Sequence, residues 1–257
     1  MGHLIKEEIG SVLVLTLNRP DSLNSFSEEM ILGLTKELKN AEKNANVKVV
    51  VLNGAGRAFC AGGDVKTMGT KSALATYEYL GVLNECILTM KAIETPIIAG
   101  VHGFAAGAGF NLALACDLIV AAEESKFALS FSQVGLISDA GGSYFLPRLI
   151  GPHLAKQFLY TAEPIAAERL YELGVINKIV PLESLREEVI HYATMLSKGP
   201  GKAYGQIKKL IEYSFSATLE DVLERERITQ TMMVATEDHQ EGVAAFKEKR
   251  KPQFTGN

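Results

Sequence analysis

Two glycine clusters, each directly following an apolar run, constrain this chain most. Asn53-Gly54-Ala55-Gly56 through Ala61-Gly62-Gly63-Asp64 follows Val47 to Leu52, and His102-Gly103 through Gly107-Ala108-Gly109 follows Ile97 to Val101. A short β-branched apolar run stopped by glycine reads as a strand buried on both faces. Such strands need helices on both sides of their sheet, and the intervening segments supply them. Ser27 before Glu28-Glu29 predicts an N-cap with an acidic first turn, and Ile31, Leu34, Leu38 and Ala41 continue at helical spacing to about Asn44. Residues 71–92 read as a second helix, stopped at Thr95-Pro96, and Phe110 to Cys116 as a short apolar one. Val12 to Leu17 and Asp117 to Ala121 read as further strands. The alternation predicts an α/β core.

After Gly141 helical patterns dominate, broken by Pro147, Gly151-Pro152, Pro164 and Gly174, with one more strand at Ile176 to Val180. From Leu182 onward the pattern is helical, interrupted at Gly199-Pro200-Gly201, so the last sixty or so residues read as a helical appendage. A length of 257 residues suits one large domain with such an appendage. The net charge of −4 argues against bulk capture of nucleic acid. Three cysteines, Cys60, Cys86 and Cys116, lack metal-ligand spacing and point to a reducing, cytoplasmic setting. His3, His102, His153, His191 and His239 form no metal pattern either. No apolar run reaches membrane-spanning length, and the N-terminus carries no signal-peptide pattern.

Each cluster admits a chemical and a structural reading. Glycines after a strand free backbone N–H groups and let a ligand approach, or they simply make a tight turn. Residues 102–109 open a helix, so bare N–H groups there favour an anion or a developing oxyanion, or else pack helix on strand. In Ser138-Asp139-Ala140-Gly141-Gly142, Asp139 is either a functional carboxylate or the N-cap of a helix starting near Ser143. His102 reads best as packing the strand end, and Cys60 as a small buried residue. Gly103, Gly107 and Gly109 also resemble the glycine pattern of short-chain dehydrogenases, and Tyr204 with Lys208 supplies a Tyr-x-x-x-Lys. That family opens with its glycine loop, whereas here about a hundred residues precede it, which argues against the reading.

Taken together, the segments resemble the crotonase (enoyl-CoA hydratase/isomerase) superfamily. The resemblance rests on Leu17-Asn18-Arg19-Pro20 with Leu23-Asn24-Ser25, Ala58 to Asp64, Gly103 to Asp117, and Phe246 to Lys251. It implies a ClpP-like spiral of β-β-α units over residues 1–195 and a helical C-terminal trimerisation region over 196–257. It further implies homotrimers or homohexamers, and an acyl-CoA thioester substrate with coenzyme A entering only as part of that substrate. The family's enolate oxygen is held by two backbone N–H groups, which by position are Gly63 and Ala108. Ala61 and Asp64 fall in the coenzyme A region, and Lys249 is placed to approach a neighbouring subunit's CoA phosphates, or else belongs to a solvated basic tail.

Two departures bear on activity. Asn111 and Phe131 stand where typical hydratases carry catalytic glutamates. Asn111 either orients substrate or water or bonds backbone groups, and Phe131 reads as a pocket wall. Asp139 falls where hydratases have glycine, and the run Phe131 to Arg148 is similar to the ring-1,2-epoxyphenylacetyl-CoA isomerase group. That likeness favours a double-bond isomerase using Asp139 as its one acid/base. A hydratase, and a CoA-thioester-binding protein with little turnover, stay open as alternatives.

Overall fold

The computed structural model describes residues 2–64, 69 and 72–256. Its main sheet has six strands in the order β1 (Leu4–Ile9), β2 (Val12–Leu17), β3 (Val49–Gly54), β4 (Ile97–Val101), β6 (Leu118–Ala122) and β9 (Lys178–Val180). The first pair is antiparallel and every other pair parallel. Strand residues of one parity (Leu13, Leu15, Val50, Leu52, Ala99) enter a core with α1 (Glu28–Lys43) and α2 (Ala73–Ala92). The other parity (Val12, Val14, Val49, Val51, Ile98, Val120) packs on Leu185, Val189 and Ala193 of α7 (Leu185–Ser197). Burial on both faces is why the strands read as continuous apolar runs. Each fully buried Val or Leu contributes about 1.5–3 kcal/mol.

A small second sheet, β5 (Phe104–Ala106), β7 (Lys126–Ala128) and β8 (Ile165–Ala166), stands beside the first. In chain order α3 (Ala108–Ala115) follows β5, α4 (Gly142–Ile150) and α5 (Pro152–Thr161) lie between β7 and β8, and α6 (Ala167–Glu172) follows β8. The C-terminal helices are α8 (Gly201–Ser214), α9 (Leu219–Val234) and α10 (Glu237–Glu248). Helix α8 docks on the core through Lys208, whose Nζ lies 2.9 Å from Asp117 Oδ2.

Sequence patterns missed some of this. β1 is a largely exposed edge strand of mixed polarity, paired to β2 through a two-residue turn at Gly10-Ser11 with Gly10 at φ 58°. The strands of the small sheet have two or three residues, too few to show a period. Pro147 does not break the chain but lies inside α4. Its cost of about 3 kcal/mol is offset by burial of Phe145 and Leu146 in the same helix. Helix α7 runs to Ser197, so a division after residue 195 falls within its last turn.

Candidate active site

The loop after β3 is held by the turn before α1. Asn24 is fully buried there, and its Nδ2 donates to Ala55 O at 2.8 Å and to Ala58 O at 2.7 Å. The Asn24 carbonyl accepts from the Cys60 thiol at 3.1 Å, Ala61 N donates to Leu23 O at 2.9 Å, and Phe26 N donates to Gly62 O at 2.7 Å. Arg19 completes the clamp, with Nη1 donating to Ser25 O at 2.7 Å and Nη2 to Asp64 Oδ2 at 3.1 Å. The Gly63 N–H at the end of this loop has no acceptor among the described residues.

The second loop is stitched to the first. Cys60 bridges Ala105 in parallel: Cys60 N donates to Phe104 O at 3.1 Å and Ala106 N to Cys60 O at 2.9 Å. Gly62, at φ 78°, lets the loops touch. A Cβ there would lie 2.6 Å from Ala106 O and 2.8 Å from Ala108 N. Gly107, at φ 52°, then turns the chain into α3. Ala108 N opens that helix, where the first N–H groups lack intrahelical partners and the dipole favours negative charge.

The third segment follows a short 3₁₀ turn at Ser132–Val134. Asn111 of α3 is fully buried, and its Nδ2 donates to Asp139 O at 2.8 Å and to Ser138 Oγ at 3.0 Å. Both amide hydrogens thus hold the segment that carries Asp139. The Asp139 carboxylate caps nothing, contrary to the capping reading. The N-cap of α4 is Gly141, in the left-handed region at φ 83°, and no side chain bonds there. Asp139 Oδ1 is buried with no hydrogen-bond partner among the described residues. Burial pushes the Asp139 carboxyl up to about 6, opposed by a hydrogen bond from its own backbone amide.

Gly63, Asp64, Ser138 and Asp139 line one cavity of about 710 Å³, closed by Phe26 before α1 and by Tyr79 and Leu80 of α2. Ala108 and Asn111 stand behind that lining; Gly62 joins Ala108 to Gly63, and the Asn111 bonds reach Asp139. Burial first, and then the negative charge of Asp139, push the Tyr79 phenol up to about 12, so it stays protonated.

None of the remaining sequence candidates lines this cavity. His102 is held structurally, with Nε2 2.9 Å from Gly56 O. Cys60 is buried and its thiol is pushed up to about 12 by desolvation, so it is no thiolate nucleophile. Phe131 is absent from the cavity lining and backs the second loop instead, its ring 3.6 Å from where a Gly107 Cβ would stand. Ala61 is half-buried beside Gly62. Lys249 is exposed at the C-cap of α10, in the left-handed region at φ 56°. Tyr204 and Lys208 belong to α8, and Lys208 is engaged with Asp117, away from the glycine loops. Among the described residues, no group of three or more His, Cys, Asp or Glu gathers to hold a metal. No helix among them is long and apolar enough to cross a membrane. Sequence reasoning missed Tyr79, an ordinary-looking helical tyrosine, and the clamp function of Arg19 and Asn24. The Asn-Arg-Pro and Leu-Asn-Ser runs before α1 were the available signal.

The family profile described as enoyl-CoA hydratase/isomerase matches residues 7–257. The chain belongs to the enoyl-CoA hydratase/isomerase family. Among its relatives, a 1,2-epoxyphenylacetyl-CoA isomerase of Escherichia coli (strain K12) is 38% identical over 250 residues, covering 95% of each chain. A 2,3-dehydroadipyl-CoA hydratase from the same strain is 33% identical over 256 residues, covering 100% of each. The crystal structure of an enoyl-CoA hydratase from Polaromonas sp. JS666 superposes with a TM-score of 0.95 at 35% identity, covering 98% of this chain and 99% of that one. The crotonase fold is therefore this chain's fold. Members carrying both isomerase and hydratase names lie at similar distances, so the site itself must discriminate between the two activities.

Proposed function

We propose that this member of the family is an acyl-CoA double-bond isomerase working through a thioester enolate, with Asp139 as its single acid/base. The observation that carries the reading is the Asp139 carboxylate. It is half-buried, its Oδ1 is buried without a partner among the described residues, it is raised to about 6, and it faces the same cavity as Gly63. In a 3-enoyl thioester, ionised Asp139 takes a proton from the carbon between the carbonyl and the double bond. The negative charge moves onto the thioester oxygen, which the Gly63 and Ala108 N–H groups hold. Asp139, now protonated, returns the proton two carbons further along, giving the 2-enoyl thioester. Mass and net charge are unchanged, and one carboxyl group serves both transfers.

The state of Asn111 favours this over hydration. Its amide hydrogens are both given to the Asp139 segment, so neither is free to donate to a substrate water. Coenzyme A enters as part of the substrate, along Ala61 and Asp64. Lys249 lies on the exposed C-terminal end of α10, where a neighbouring subunit's CoA phosphates would meet it in a trimer or paired trimers. The exposed apolar residues Leu223, Met232 and Phe246 of α9 and α10 support such an assembly. The setting we propose is the cytoplasm.

The test offers purified protein 3-enoyl-CoA and 2-enoyl-CoA separately and follows products by mass and chromatography. The reading expects a mass-neutral double-bond shift at least about a hundredfold faster than water addition. Water addition as the faster reaction would establish the hydratase, and neither product would leave a thioester-binding protein.

A further inference from the structure

The geometry points to the Arg19–Asp64 ion pair, seated on the Asn24 turn, as the device that fixes the direction of the Gly63 N–H. This rests on the proposed role of that N–H as an enolate donor.

The donor belongs to the peptide unit joining Gly62 to Gly63. A trans peptide is planar, and its C=O and N–H point in opposite directions. No cis peptide occurs among the described residues. The Gly62 carbonyl accepts from Phe26 N at 2.7 Å, so the Gly63 N–H must face away from Phe26. Two consecutive glycines offer little resistance to a flip of this unit, so its orientation depends on outside anchors. Arg19 supplies both. On one side its guanidinium Nη1 holds Ser25 O at 2.7 Å and Phe26 O at 3.4 Å, fixing the residue that binds Gly62 O. On the other, Nη2 holds Asp64 Oδ2 at 3.1 Å, fixing the residue after the donor. Arg19 itself is placed by its backbone N–H, which donates to Asn24 Oδ1 at 2.8 Å. The pair is largely sheltered, with side-chain exposures of 23% for Arg19 and 15% for Asp64, so its charge-assisted bonds are weakly screened. Arg19 and Asp64 are therefore positioning residues for the first donor.

The test uses two conservative variants, Asp64→Asn and Arg19→Lys, each of which keeps a polar partner. The probe is butanoyl-CoA labelled with carbon-13 at the thioester carbonyl, and the readout is its infrared carbonyl stretch when bound. Wild-type protein should shift the stretch to lower frequency. Both variants should lose a large part of that shift while binding the probe within about threefold of wild type, and kcat on 3-enoyl-CoA should fall about tenfold to a hundredfold. An unchanged shift and kcat in both variants would overturn the positioning role and leave the enolate reading standing. An unshifted stretch in wild-type protein would overturn the donor reading itself, and the positioning role with it. A pure loss of binding, with the shift per bound probe intact, would overturn the proposal in favour of direct contact with the CoA moiety.

Discussion

Asp139 joins two properties that usually exclude each other in a folded protein: its Oδ1 is buried, and no hydrogen-bond partner for that atom stands among the described residues. Desolvation raises its carboxyl from 3.8 to about 6. A base of that strength is still ionised at neutral pH yet holds a proton better than an exposed aspartate, which suits a group that must take a proton and give it back. Because the ionised form starts the reaction, kcat/KM should rise with pH through a midpoint near 6 and level off above it. A pH–rate profile on 3-enoyl-CoA measures this, and a flat profile between pH 5 and 8 would remove Asp139 as the base. This residue was legible in the sequence as a carboxylate beside a glycine pair that could equally cap a helix, and its acid/base role only through the family resemblance. Its burial was not, since that depends on Tyr79 and Leu80 of α2, about sixty positions earlier. Asn111 shows the same limit: the sequence allowed either a direct role or backbone bonding, and only the contact with Asp139 O decides for the second.

At the scale of elements, the site is two loops pressed together at Gly62 and a third held from behind by α3. Gly62→Ala brings a Cβ to 2.8 Å from Ala108 N at a φ of 78°, which is strained and pries the loops apart. Turnover should fall at least about a hundredfold, with stability lowered by about 1–3 kcal/mol. Gly81→Ala is the control, since Gly81 lies in α2 with nothing within 4 Å of its added Cβ. It should leave turnover unchanged and raise the melting temperature slightly, as alanine favours helix over glycine by about 1 kcal/mol. Equal effects of the two substitutions, in assays of kcat and thermal melting, would contradict this account of the loop junction. The strand-then-glycine pattern made both loops readable in advance. What joins them was not readable, because the Cys60–Ala105 bridge spans a single pair of residues and leaves no periodic trace.

For the whole molecule, the main parallel strands follow from continuous apolar runs and the large helices from periodicity, while the edge strand β1 and the three-stranded sheet follow from neither. The parallel strands are buried on both faces, so hydrophobicity alone marks them. The edge and small-sheet strands are short or polar and are fixed by their neighbours. The fold brings positions 19, 63, 108, 111 and 139 together from four separate segments, and that convergence is the strongest argument for a shared chemical task. The fold alone does not choose the reaction, as the isomerase and hydratase names among its relatives show. The choice rests on Asp139. The most direct test compares wild type with Asp139→Asn for conversion of 3-enoyl-CoA to 2-enoyl-CoA, alongside the affinity of each for butanoyl-CoA. The account predicts a loss of at least about a thousandfold in kcat with affinity kept within about threefold. Isomerisation by Asp139→Asn within tenfold of wild type would contradict it.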